Sequence, residues 1–199
     1  NRSALGENYT FVVDVSKYGN DGTCSGTTCP KWNATGKHNG AFDFDGVDDY
    51  LRVEDSNSLD VGSELTLSVW IYPKSFSTQE NIICKGDGNF VYHYCFYLLG
   101  GTGYFQLGTG DFTTYPTWNV APNLNEWNHV VVTFNISTFT LYLNGDNKGA
   151  VSDDFSSANN VPLYIGYNNY QTQFFNGSID EVRIWNKSLS AGEVREHYY

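Results

Sequence analysis

The chain has 199 residues, 40% of them apolar and 17% aromatic, with 22 acidic against 11 basic side chains and a formal net charge of -11. That balance argues against nucleic acid and anionic membrane surfaces as partners. No apolar run approaches the roughly 20 residues that span a bilayer, so no membrane insertion is expected, and the length fits a single domain, residues 1–199, with a sizeable core.

The dominant hydrophobic period is two, the mark of half-buried strands. Strands are predicted around 41–44 and 50–53, then in "ELTLSVWIYP", where Leu65, Leu67, Val69 and Ile71 share one face and Thr66, Ser68, Trp70 and Tyr72 the other. Pro73 ends that strand because it cannot donate to a ladder. Further strands are predicted around 81–84, 92–99 and 104–108. "EWNHVVVTFN" (126–135) and "TFTLYLNGD" (138–146) form a hairpin candidate with Phe139, Leu141 and Leu143 on one face. The Asn144-Gly145 pair closing the second strand is a strong turn signal. "PLYIGY" (162–167) and "GSIDEVRIW" (177–185) supply two more strands. Only the C-terminus reads as helix. Ser190-Ala191-Gly192-Glu193 fits a capping box and Leu189 with Val194 its hydrophobic staple, predicting a helix over 190–197. Short strands separated by Gly, Asn and Asp turns, with one terminal helix, predict an all-β, two-sheet antiparallel sandwich.

The compartment reads as secreted or cell-surface. Six tripeptides match the N-glycosylation acceptor pattern, beginning at Asn1, Asn8, Asn33, Asn135, Asn176 and Asn186. The four cysteines form two local pairs, Cys24/Cys29 and Cys84/Cys95, each bracketing a Gly-rich turn, which suits disulfides in an oxidising environment. Neither pair has the CxxC spacing of a zinc site. With no methionine anywhere, even at position 1, the chain reads as a processed or excised product.

Six blocks then carry a resemblance: "DVSKYGNDGT" (14–23), "GKHNGAFDFDGVDDYLRV" (36–53), "LTLSVWIYP" (65–73), "EWNHVVVTFN" (126–135), "LYLNG" (141–145) and "FNGSIDEVRIWNKSLSAGEV" (175–194). In that order they resemble the laminin-G-like group of the concanavalin A-like lectin/glucanase superfamily, across nearly the whole chain. The resemblance implies a jelly roll of two curved antiparallel sheets, and a binding rather than a catalytic protein. The chain departs from the pattern at its start, where the usual opening strand has no good copy. Either "YTFVV" (9–13) supplies that strand or it is missing, and a missing strand would leave an edge beside "IDEVRIW" open to another chain.

Asp180 and Glu181 are two neighbouring acids inside a predicted strand, where aspartate is disfavoured. They cannot serve as a glycosidase pair, because adjacent residues of a flat strand point to opposite faces. The Glu-x-Asp-x-(x)-Glu pattern of the glucanase relatives is absent, as are Gly-x-Ser-x-Gly and His-Glu-x-x-His. No catalytic residues are expected. By resemblance, the aspartate matching Asp180 binds a structural calcium together with the loop "DVSKYGND". The expected ligands are Asp14 and Asp180, with Gly19, Asn20 or Asp21 completing the oxygen shell. The alternative is that Asp14 starts a turn and Asp180 accepts backbone amides of that same loop. Glu181 is expected to be solvated or paired with Arg183 or Arg52.

The resemblance implies glycans as ligands, and sugar sites need exposed aromatics with polar groups around them. The candidates are Tyr115 and Trp118 in "TTYPTWN" and Tyr167 and Tyr170 in "GYNNYQTQFFN". Phe174 in the second loop, and Tyr92 and His93 in "NFVYHYCFY", stand beside them. The partner is accordingly a glycan or cell-surface glycoprotein. A second reading is a structural glycoprotein subunit that self-associates into a surface layer, sheath or filament.

Overall fold

The computed structural model describes residues 10–86, 92–110, 115–154, 160–168 and 173–199. Among them, two large antiparallel sheets form a sandwich. The first runs in the order β1 (Phe11–Val12), β2 (Gly22–Thr23), β5 (Leu51–Val53), β14 (Leu163–Ile165), β7 (Glu80–Gly86), β8 (Tyr92–Leu98), β9 (Phe105–Gly110) and β10 (Thr117–Trp118). The second runs β13 (Asp146–Ser152), β12 (Thr138–Leu143), β11 (Asn128–Asn135), β6 (Glu64–Pro73), β17 (Asn176–Trp185), β4 (Ala41–Asp45) and β3 (Lys31–Asn33). A small hairpin, β15 (Tyr167–Asn168) with β16 (Gln173–Phe174), stands apart, and one helix, α1 (Ala191–Tyr198), ends the chain.

The period-two reading of β6 holds on its inner face: Leu65, Leu67, Val69 and Ile71 are all within 1% of full burial. They meet Ile83, Phe96, Phe105 and Leu107 of the eight-stranded sheet in one core. The outer face of β6 is not wet, however. Thr66, Ser68 and Trp70 are buried too, because α1 and the residues leading to it lie across them. Leu189 and Val194 pack against Val131, Tyr142 and Trp185, and Leu189 donates its N–H to Thr66 Oγ1 at 3.0 Å. Ser190 and Glu193 form the expected capping box. Both expected disulfides are present, Cys24–Cys29 in a surface turn and Cys84–Cys95 joining β7 to β8.

β17 fills the gap between β6 and β4 and carries the sequence's unusual acids. Its first half, Asn176 to Ile179, pairs with β4 on one side and, from Gly177, with β6 on the other. Gly177 is needed at its start: a Cβ there would meet the Tyr72 carbonyl oxygen at 2.2 Å. Between Asp180 and Arg183 the register with β6 slips, and Glu181 adopts φ 50, a left-handed conformation rare for a residue with a side chain. Beyond Ile179, only β6 borders β17 among the described residues.

Candidate functional site

Asp180 holds this bulge. One carboxylate oxygen accepts the Glu181 N–H at 2.8 Å, and the other accepts the N–H of His38 at 2.8 Å. Burial pushes its carboxyl above the ordinary aspartate value, and these two amides partly offset that. Asp14 serves a different loop. Its carboxylate accepts the Ser16 N–H and O–H and the Asn20 N–H, at 2.7–2.8 Å. Its own N–H goes to Asp21 Oδ1 at 2.8 Å, and Gly19 makes the turn at φ 65. Burial raises the Asp14 carboxyl, but the Ser16 and Asn20 donors outweigh it and leave it below its usual range.

Expected to share one calcium ion, the two aspartates are thus engaged with separate partners, Asp180 with the 36–40 loop rather than with "DVSKYGND". Each carboxylate accepts N–H or O–H groups of its own partners. Among the described residues, the acids that converge are Asp45, Asp48 and Asp49. That loop is organised by its own amides: Asp49 accepts the Asp45 N–H and Asp45 accepts the Val47 N–H. Glu181 pairs with Arg183, one of its two expected partners.

The expected ligand residues separate. Trp118 is a core residue, 4% exposed, with its indole N–H donated to the Gly149 carbonyl at 3.1 Å. It is not placed to stack on a ligand. Tyr115 is 36% exposed, and Tyr170 lies outside the described residues. Tyr167 stands in a surface group of four half-buried rings with Tyr50, Tyr164 and Phe174. Tyr167 stacks on Phe174 at 4.7 Å, lies 5.3 Å from Tyr50, and meets Tyr164 edge-on at 5.4 Å. Arg52 is the cross-strand neighbour of Tyr164 and is paired with Glu54, so a charged flank borders the rings. Tyr50 and Tyr164 were missed in the sequence, although the signal was present. In "PLYIGY", Leu163 and Ile165 face the core, so Tyr164 between them must face away.

On the other sheet, Tyr198 of α1, Trp70 and His129 form a stack, with centroids 5.6 and 4.9 Å apart. Three of the chain's four histidines, His38, His129 and His197, line the hollow beside Trp70, with Ser68, Glu181 and Arg183. His129 Nε2 bonds to Ser68 Oγ at 2.9 Å. Burial, with His197, Arg183, His38 and Lys37 nearby, lowers the His129 pKa to about 4, so the ring is neutral near pH 7.

Of the four acceptor asparagines that are described, Asn135 and Asn186 are exposed. Asn33 donates its amide to Asp43 at 3.2 Å and Asn176 donates to Ser75 at 3.4 Å. Asn1 and Asn8 lie outside the described residues.

This geometry belongs to a lectin-like jelly roll. Residues 45–195 match the Laminin_G_3 family of the concanavalin A-like lectin/glucanases superfamily, and the chain belongs to that family. It is 32% identical over 108 residues to adhesion G-protein coupled receptor D1 of Homo sapiens, covering 50% of this chain and 12% of that protein. It is 25% identical over 145 residues to adhesion G-protein coupled receptor V1 of Danio rerio, covering 67% of this chain and 2% of the receptor. The chain therefore spans a small part of these relatives. Among solved structures it is similar to domain 4 of AbnA, a GH43 extracellular arabinanase from Geobacillus stearothermophilus, in complex with arabinotriose. The TM-score is 0.74 at 19% identity, over 96% of this chain and 98% of that one. The botulinum neurotoxin serotype G binding domain matches with a TM-score of 0.70 at 17% identity, over 94% of this chain and 47% of that one. At such identities the likeness is one of fold.

Proposed function

We propose that this protein is an extracellular, non-catalytic carbohydrate-binding domain, and that the Tyr50–Tyr164–Tyr167–Phe174 cluster is its sugar platform. The cluster carries the reading: four half-buried rings in mutual contact, bordered by the charged Arg52–Glu54 pair, offer the apolar face and polar rim that a pyranose or furanose needs. The family and a neighbour described in complex with arabinotriose support a glycan as the ligand. Two disulfides and the adhesion-receptor relatives support an extracellular setting, and no described helix is long and apolar enough to cross a membrane. The acids at β17 are engaged with backbone amides and with Arg183, which supports binding over hydrolysis.

The test is a glycan array followed by calorimetry on the best ligand. Tyr167→Ala should weaken binding about tenfold or more while preserving the melt. Full affinity in that variant would remove the cluster from the site.

A further inference from the structure

The seven-stranded sheet has an opening within it. β17 is ten residues long, but β4 covers only the part up to Ile179: the bulge at Glu181 breaks the line, and the 36–40 loop that leads into β4 is held at Asp180 through the His38 N–H. From Glu181 to Trp185 one side of β17 has no neighbouring strand among the described residues. Burial follows the same boundary. Gly177 to Asp180 are buried, whereas Val182 and Ile184, which pack against the main core, remain partly exposed. Core-facing aliphatic side chains beside a backbone row that no other strand borders among the described residues are what an added strand covers.

We propose that this edge accepts an extended segment from a second copy of this chain. The direction of β1 favours a neighbour over the same molecule. Val12 pairs with Gly22 and Gly22 with Val53, the last residue of β5, from which residues 54–63 lead directly to the start of β6 at Glu64. Trp185 pairs with Thr66 near that start. Read upstream, β1 runs from Val12 through Phe11 to Thr10, away from the start of β6. The nine residues before Thr10 can reach about 30 Å when extended, long enough for one strand in a neighbour. Donor and acceptor then occupy different parts of the surface, so the contact is head-to-tail and builds an open chain of subunits rather than a closed dimer.

Sedimentation velocity of the full chain over a concentration series tests this, with hydrogen exchange of the 181–185 amides. The expected result is oligomers that lengthen with concentration, in which those amides exchange slowly. Ile184→Lys, which puts a charge on the acceptor, should give monomers with native circular dichroism. A synthetic peptide of residues 1–13 should dissociate wild-type oligomers, which keeps the test decisive if the variant fails to fold. A monomer at every concentration overturns the proposal, whether its amides are protected by its own chain or unprotected. Oligomers that resist both the substitution and the peptide overturn it as well.

Discussion

Asp180 Oδ2 accepts the backbone N–H of His38 at 2.8 Å, a bond between residues 142 positions apart. The same side chain accepts the Glu181 N–H, so one carboxylate fixes both the bulge and the loop that turns over Trp70. Asp180→Ala leaves both amides without that partner and should cost about 1–3 kcal/mol. Because the role is anchoring, the loss in melting temperature should be the same in calcium and in chelator. A loss seen only with calcium present would assign Asp180 to a metal site instead.

His129 should make the fold acid-sensitive. Its ordinary pKa is 6.5 and its folded value about 4, so between those values the unfolded chain holds more protons. Stability from this group is complete above about 6.5 and is lost as pH falls toward 4, by up to about 3 kcal/mol. Denaturant titrations of wild type and His129→Gln across that window should differ in slope.

Glu80 works in the opposite direction. It is 1% exposed and accepts from Ser75 Oγ and the Asn176 N–H. Burial raises its pKa from 4.5 to about 7 despite those donors. The folded state holds the proton longer, so this group costs stability as pH rises from 4.5 toward 7. Between about 4.5 and 6.5 the two groups largely cancel, and wild-type stability should be nearly flat there. Glu80→Gln should expose the rising slope of His129 and stabilise the protein above pH 7 by about 1–3 kcal/mol.

Lys85 is fully buried, with Nζ 2.6 Å from Asp55, 3.2 Å from Asp60 and 2.8 Å from the Val161 carbonyl. Removing it takes the shared cation from Asp55 and from the less exposed Asp60, and empties a fully buried site. Lys85→Ala should cost about 3–5 kcal/mol, and Asp55→Asn with Asp60→Asn in the Lys85→Met background should recover part of it. Urea midpoints of the three proteins check this.

Much of the sandwich was legible because β-strands announce themselves locally. The alternation in "ELTLSVWIYP", the pair 126–135 and 138–146, the capping box at Ser190 and both cysteine pairs all depend on neighbours close in sequence. β13 escaped because its residues are largely exposed and carry no apolar alternation. Trp118 was misjudged because a tryptophan in a polar loop reads the same whether it faces water or the Gly149 carbonyl. The partner of Asp180 could not be read at all: no local pattern marks a bond to residue 38, and a left-handed glutamate is too rare to expect.

The position of β17 also governs when the molecule can fold. Its partners β6 and β4 both precede it by more than a hundred residues, and neither can complete the seven-stranded sheet without it. Contacts of such long sequence separation form late and slowly. During synthesis the sheet stays divided until the final strand and helix emerge.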